Sequence, residues 1–132
     1  MALGIDTQQL TTLQQRIDEA QKVAIFGHRN IDWDCVWSCL ALWTYLQSLW
    51  KQMDYYCPTP PSPIFDFLPE VKKFSQAYLA SSSSAPNALG KEVYDTIFFM
   101  DTGDTANQLG HFRKENPTYF EDHPRKIVID HH

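Results

Sequence analysis

Residues 22–42 read KVAIFGHRNIDWDCVWSCLAL, and this stretch decides the fold that the sequence predicts. Its first part, residues 22–28, is an apolar run of strand length that ends in glycine and histidine. A polar turn follows at residues 29–34, and apolar residues then continue at helical spacing from about residue 35 to residue 49. A buried strand that passes through a polar turn into a helix is the repeating unit of a parallel α/β sheet.

The rest of the chain repeats this alternation. Further apolar runs predict strands at residues 53–57, 96–101 and 126–132, and helices are predicted at residues 6–21, 71–78 and 105–114. Prolines and serines predict loops at residues 57–70 and 81–89. Continuous apolar strands that alternate with helices indicate an α/β fold, a parallel sheet with helices on both faces. In such a sheet the active site lies at the carboxyl ends of the strands.

Composition bounds the class of protein. The 132 residues are 43% hydrophobic and 20% charged, which is typical of one small soluble domain. The net charge of −5, with no basic tract, argues against broad electrostatic binding to a long nucleic-acid duplex. It does not exclude a small anionic substrate that binds through cations. Because the sequence shows neither a signal peptide nor an apolar run of about 20 residues, we expect a cytoplasmic protein without membrane contact.

Cysteine usage gives no sign of a disulfide framework. The three cysteines, Cys35, Cys39 and Cys57, form no CxxC pair, and their number is odd. Cys35 and Cys39 are four residues apart on a predicted helix, which leaves a zinc role open. Without a second pair of ligands, we interpret all three as reduced thiols that pack in the core.

Metal-competent side chains follow three of the four predicted strands. His28, Asp32 and Asp34 lie in or beside the first turn, Asp101 ends the third strand, and His131 ends the fourth. Taken singly, each of these residues could be no more than a helix cap or a solvated loop residue. Three carboxylates and two imidazoles at one edge of a sheet would repel one another, however, and bound divalent cations would remove that repulsion. Mixed Asp/His ligation suits Mn²⁺, with Mg²⁺, Fe²⁺ or Co²⁺ as alternatives.

Three segments resemble, in order, the motifs of the DHH phosphoesterase superfamily. They are GHRNIDWDCVWSCLAL at residues 27–42, DTGD at residues 101–104 and DHH at residues 130–132. The resemblance implies an N-terminal DHH domain over residues 1–132 and a site for two Mn²⁺ ions. It implies that one ion is bound by His28, Asp32 and Asp101, and the other by Asp34, Asp101 and His131.

The same resemblance implies roles for the remaining motif residues. A hydroxide held between the two metal ions would attack phosphorus, with His132 in contact with the substrate phosphate. Asp130 would act beside it as a carboxylate that orients its neighbours. Asn30 and Ser38 would support the turn at residues 28–34, named the metal loop below, and the start of the helix that follows.

Within the superfamily, the first motif and the FDFLP segment most resemble the nano-RNase and pAp-phosphatase group. The expected function is therefore Mn²⁺-dependent hydrolysis of short single-stranded oligoribonucleotides or of 3′-phosphoadenosine 5′-phosphate (pAp). RecJ-type exonucleases share the metal motifs. Inorganic pyrophosphatase and cyclic-dinucleotide phosphodiesterase activity remain alternatives, as does a metal- or nucleotide-binding fragment without turnover. The expected partner is a short RNA or nucleotide, and a homodimer of the full-length protein is compatible with the resemblance.

Two features depart from the family pattern. The family has a further metal-binding Asp beyond the DHH motif and a C-terminal DHHA1 domain, so we expect the 132 residues to be a fragment with little activity alone. Trp33, Trp37 and Trp50 occupy positions where the family has glycine, and Trp43 lies on the same helix. We hypothesise that these are UGA codons that the cell reads as glycine; the alternative is true aromatic substitution around the pocket.

Overall fold

The computed structural model describes residues 6–59, 61–68, 94–109, 113, 120–121 and 123–130. The described helices are α1 (Thr7–Glu19), α2 (Trp33–Ser48), α3 (Thr105–Gln108) and a short 3₁₀ helix (Pro63–Phe65). The described strands are β1 (Lys22–Phe26), β2 (Gln52–Tyr56), β3 (Thr96–Met100) and β4 (Lys126–Ile129). All four strands lie where the sequence predicts them: β1, β3 and β4 end one to three residues earlier than predicted, and β2 is shifted by one residue towards the N-terminus.

The four strands form one parallel sheet in the order β2–β1–β3–β4. The chain goes from β1 to β2 on one side, and β3 then lies on the other side of β1. The direction of winding therefore reverses between β1 and β3, which makes the crevice at their carboxyl ends the expected ligand site. This architecture confirms the α/β parallel-sheet prediction.

The pleat of the central strands separates two apolar cores. Val23 and Ile25 face a core that includes Ile17 of α1 and Leu46 of α2, so these helices cover one face of the sheet. The alternate side chains face a second core, whose members are Ala24, Phe26, Tyr56, Tyr94, Ile97, Phe99, Leu109 and Phe120. Both faces of the central strands are therefore covered, as their continuous apolar sequences predict.

The two long helices begin at side-chain caps. Asp6 accepts a hydrogen bond from the backbone of Gln9, whose side chain accepts one from the backbone of Asp6, and this capping box starts α1. Asp32 accepts a hydrogen bond from the backbone of Cys35 and starts α2. The predicted start of α2, about residue 35, was two residues late because the cap lies inside the metal loop.

Several sequence predictions concern residues that the structure does not describe. They are the helix predicted at residues 71–78, the loop at residues 81–89 and the two terminal histidines. Of the helix predicted at residues 105–114, the structure describes residues 105–109 and 113, and the turn of α3 ends at Gln108. Among the described residues, no helix is both long and apolar enough to cross a membrane.

Candidate metal centre

The register of the sheet places His28 beside Asp101. Phe26 of β1 is the partner of Phe99 in β3, and each of the two metal-competent residues follows two positions later. On the other side of β3, Met100 is the partner of Ile129, so Asp130 follows β4 at the same level. Strand register alone therefore brings these side chains to one edge, at the point where the winding reverses.

His28, Asp32 and Asp101 form a compact group of ligand atoms. The Nε2 atom of His28 lies 3.6 Å from Oδ1 of Asp32 and 3.5 Å from Oδ2 of Asp101. One ligand atom from each residue lies within 4.8 Å of the other two. One imidazole and two carboxylates at such spacing suit a divalent cation of the Mn²⁺ or Mg²⁺ type. The residues present therefore fit the metal that the sequence implies.

The protein backbone holds this group in place. The Nδ1–H of His28 donates to the carbonyl of Arg29 at 2.7 Å, which leaves Nε2 facing the carboxylates. Asp101 is buried and has a left-handed backbone, with φ of 62°. Such a conformation is strained for a residue with a side chain, and strain of this kind concentrates at functional sites. The Asp101 N–H also donates to the Ile129 carbonyl at 2.7 Å, which fixes the turn to β4.

Buried thiols line the protein side of the group. A side-chain hydrogen bond with Cys35 raises the pKa of His28 to about 10. The pKa of Cys35 itself is lowered, first by its hydrogen bond with Cys39 and then by that with His28. A cation that binds Nε2 must therefore displace a proton from His28, so metal binding should release protons.

Gly27 allows this close packing beneath the metal loop. A Cβ atom at position 27 would lie 3.1 Å from Sγ of Cys35 and 3.3 Å from the side chain of Ile31. A larger residue would push the first turn of α2 away from the end of β1. Position 27 therefore sets the distance between the helix cap and the strand that carries His28.

A cleft of about 420 Å³ opens beside the ligand group. Besides the three ligands, its lining residues are Thr102, Gly103, Asp104, Gln108 and Asp130. Asp104 caps α3 through its hydrogen bonds with Asn107, and the Gln108 carbonyl accepts from the backbone of Arg29 at 2.8 Å. The end of α3 is therefore joined directly to the metal loop.

The other predicted site residues lie around this group or outside the described chain. Asp34 is exposed in the first turn of α2 and is not a member of the three-residue group. Asn30 has a left-handed backbone, with φ of 53°, and its N–H donates to Thr59 at 2.7 Å, which joins the metal loop to the segment after β2. Ser38 is half-buried in α2. His131 and His132 lie outside the described residues.

Sequence reasoning gave no role to four of the cleft residues. Thr102, Gly103 and Asp104 belong to the recognised DTGD motif, and that motif was the signal that could have found them. Gln108 carried no signal, because only the backbone contact between α3 and the metal loop brings it to the cleft. Position 108 could not be found without knowledge of how α3 packs.

The four tryptophans have different environments. Trp43 is buried against Tyr55, with ring centroids 6.1 Å apart. Trp33 and Trp37 are partly exposed and stack on each other. Trp50 is 94% exposed and has a φ of 61°, the left-handed conformation that favours glycine. Position 50 therefore has the backbone expected of a glycine, which supports the recoding hypothesis at that residue.

Taken together, the sheet and its ligand group define an α/β protein with a candidate metal-binding edge at the reversal of winding. The DHH family, N-terminal domain, matches residues 22–132, and the chain belongs to this family.

A solved structure supports the fold independently. It is that of an exopolyphosphatase-related protein from Bacteroides fragilis, with a TM-score of 0.80 and 21% sequence identity. The match covers 100% of this chain and 37% of the other, so the chain spans little more than a third of the length of that protein. None of the curated proteins matches the sequence.

Proposed function

We propose that the chain contributes the metal-binding domain of a Mn²⁺-dependent phosphoesterase that hydrolyses short oligoribonucleotides or pAp. The observation that carries the proposal is the group of His28, Asp32 and Asp101 at the edge where the sheet reverses its winding. The proposal includes the second ligand set that the family resemblance implies, namely Asp34, His131 and a shared Asp101.

The charge of the cleft explains why cations are needed. Four of its lining residues carry carboxylates: Asp32, Asp101, Asp104 and Asp130. These carboxylates would repel a phosphate group, so an anionic substrate binds only after cations have reversed the local charge. When bound, a pair of divalent cations neutralises the phosphate and activates the attacking water.

The chain's own residues hold and orient these components. Asp101 is buried, its backbone is held to the end of β4 by a hydrogen bond, and it supplies one carboxylate of the group. Asp32 and His28 complete the group from the metal loop. Thr102 and Gln108 line the cleft with a hydroxyl and an amide, which can donate hydrogen bonds to phosphate oxygens. We propose that His132 also contacts the phosphate and that Asp130 orients it.

Other substrates remain within the proposed class. The structurally similar Bacteroides protein is described as exopolyphosphatase-related, which adds polyphosphate to the phosphoanhydrides to be tested. Pyrophosphate and cyclic dinucleotides are the further alternatives. Short RNA and pAp are preferred because of the first motif and the FDFLP segment.

A panel of substrates, assayed with the full-length natural protein, tests the proposal. With Mn²⁺, we expect turnover of 5′-phosphorylated RNA dinucleotides and pAp to exceed that of pyrophosphate, polyphosphate and cyclic di-AMP. Asp101→Asn should abolish this turnover, whereas Asp18→Asn, an exposed change on α1, should leave it unchanged. Faster turnover of pyrophosphate or polyphosphate would contradict the substrate class. Equal turnover by Asp101→Asn would contradict the site.

A further inference from the structure

Four aromatic side chains form a cluster beside the metal loop. This aromatic cluster consists of Trp33, Trp37, Phe65 and Phe67. Trp33 lies at its centre: its ring stacks on that of Trp37 at 6.1 Å and 19° between the ring planes. The Trp33 ring also packs edge-on against Phe65 at 4.6 Å and tilted against Phe67 at 5.8 Å. These separations are in the range that stabilises aromatic pairs.

The cluster is anchored on one side and open on the other. Phe65 is buried, and it fixes the base of the cluster in the core beneath α2. Trp33, Trp37 and Phe67 remain 39%, 51% and 64% exposed. Grouped exposed rings of this kind, held in place by a buried neighbour, are a feature of binding surfaces.

The cluster adjoins the proposed phosphate site through the backbone. Trp33 follows Asp32 directly, so their Cα atoms are about 3.8 Å apart. The N–H of Asn30 donates to Thr59, which also connects the metal loop to the segment that carries Phe65 and Phe67. The four rings do not line the cleft itself, so a ligand that reaches both would extend from the metal group past Asp32 to Trp33.

The charges around the cluster select the chemistry of its ligand. The neighbours in sequence are Asp32, Asp34 and Asp66, and all three are exposed acids. An anionic group is disfavoured there, whereas a neutral, flat ring can stack on tryptophan. Nucleobases are such rings, and stacking on aromatic side chains accepts any of the four bases.

We propose that, in the chain with tryptophan at positions 33 and 37, the aromatic cluster binds the nucleobase of a nucleotide whose phosphate lies at His28, Asp32 and Asp101. The inference rests on the proposed function and deepens it, because it selects nucleotides over pyrophosphate and polyphosphate, which carry no base. Trp33 is the central contact, and Trp37 extends the surface along α2.

Equilibrium binding of AMP and of ribose 5-phosphate in the presence of Mn²⁺ tests the proposal. The two probes share the sugar and the phosphate and differ only in the base. We expect the full chain to bind AMP about tenfold more tightly than ribose 5-phosphate, as loss of one stacked base implies. Trp33→Ala should remove this difference, and Trp33→Phe should restore most of it. Trp50→Ala, which removes an exposed tryptophan outside the cluster, should change neither affinity.

The outcomes separate this proposal from the proposed function. Equal affinities for the two probes, or an unchanged preference for AMP in both Trp33→Ala and Trp37→Ala, would overturn the base site. Turnover is measured separately on the full-length natural protein, so a natural protein that hydrolyses none of the panel substrates and still prefers AMP would contradict the proposed function and leave the base site standing. Glycine at positions 33 and 37 in the mass spectrum of the natural protein would overturn the base site directly.

Discussion

Replacement of Trp50 by glycine should stabilise the protein, and the end of α2 shows why. The N–H of Trp50 donates to the Gln47 carbonyl at 3.0 Å, and that of Lys51 donates to the Leu46 carbonyl at 3.2 Å. This pair of bonds is a Schellman motif, in which the residue after the C-cap takes the left-handed conformation. Trp50 takes it with φ of 61°.

The expected increase in the free energy of unfolding is the difference between two opposing effects. The left-handed conformation costs a residue with a Cβ atom about 1–2 kcal/mol. Glycine removes that strain. It also makes the unfolded chain more flexible, which lowers the free energy of unfolding by about 0.5–1 kcal/mol. Because the Trp50 side chain is 94% exposed, little burial is lost. Trp50→Gly should therefore raise the free energy of unfolding by roughly 0.5–1 kcal/mol, or the melting temperature by about 3 °C.

Urea unfolding followed by circular dichroism measures this difference. Trp50→Ala is the matched control, since it removes the same exposed side chain and retains the Cβ atom. We expect the control to change the free energy of unfolding by less than about 0.5 kcal/mol. An equal gain from alanine and glycine would refute the backbone explanation. The codon for residue 50 tests the recoding hypothesis separately: UGG would contradict it, and UGA with glycine in the protein would support it.

Two further predictions concern buried hydroxyl and thiol groups. Tyr94→Phe should lower the free energy of unfolding by about 1–3 kcal/mol, measured in urea, because its hydroxyl donates to Asp54 at 2.6 Å and lies 2.6 Å from the Tyr56 hydroxyl; no loss would show that this network adds nothing. Burial raises the pKa of Cys57 from 9.0 to about 12, so its thiol stabilises the fold below pH 9 and this stability is lost as pH rises towards 12. The unfolded chain then binds fewer protons, and Cys57→Ala should make the decline of stability between pH 9 and 12 shallower by up to about 1.4 kcal/mol per pH unit. Identical slopes for the parent and Cys57→Ala would contradict a raised pKa of Cys57 as the cause of the decline.

The strands and the position of the site could be predicted from the sequence for a physical reason. Strands covered on both faces are continuous apolar runs, and residues 22–28 and 96–101 are such runs. Because parallel strands end at the same edge, His28 and Asp101 had to lie near each other once their strands were neighbours. The sequence did not predict which strands are neighbours. The carboxyl ends of parallel strands lie at one edge of the sheet in any order, however, so the edge that carries the site could be predicted.

The finer geometry depended on backbone details without a local signal. Asp32 both caps α2 and faces His28, which moved the start of the helix into the metal loop. Gln108 reaches the cleft through a contact between distant backbone segments. The left-handed conformation of Asp101 likewise follows from tertiary structure, since its sequence neighbours do not demand it. The positions of side chains that depend on such tertiary contacts can be known only from the folded structure.

Calorimetric titration of Mn²⁺ measures whether His28, Asp32 and Asp101 bind a divalent cation. We expect the chain to bind Mn²⁺ with release of protons, and Asp101→Asn to weaken binding by at least about tenfold while it keeps the circular dichroism spectrum of the parent. Asp18→Asn, which changes the same charge on the exposed face of α1, should bind like the parent. Equal Mn²⁺ affinity in Asp101→Asn and the parent chain would show that Asp101 is not a ligand of the ion.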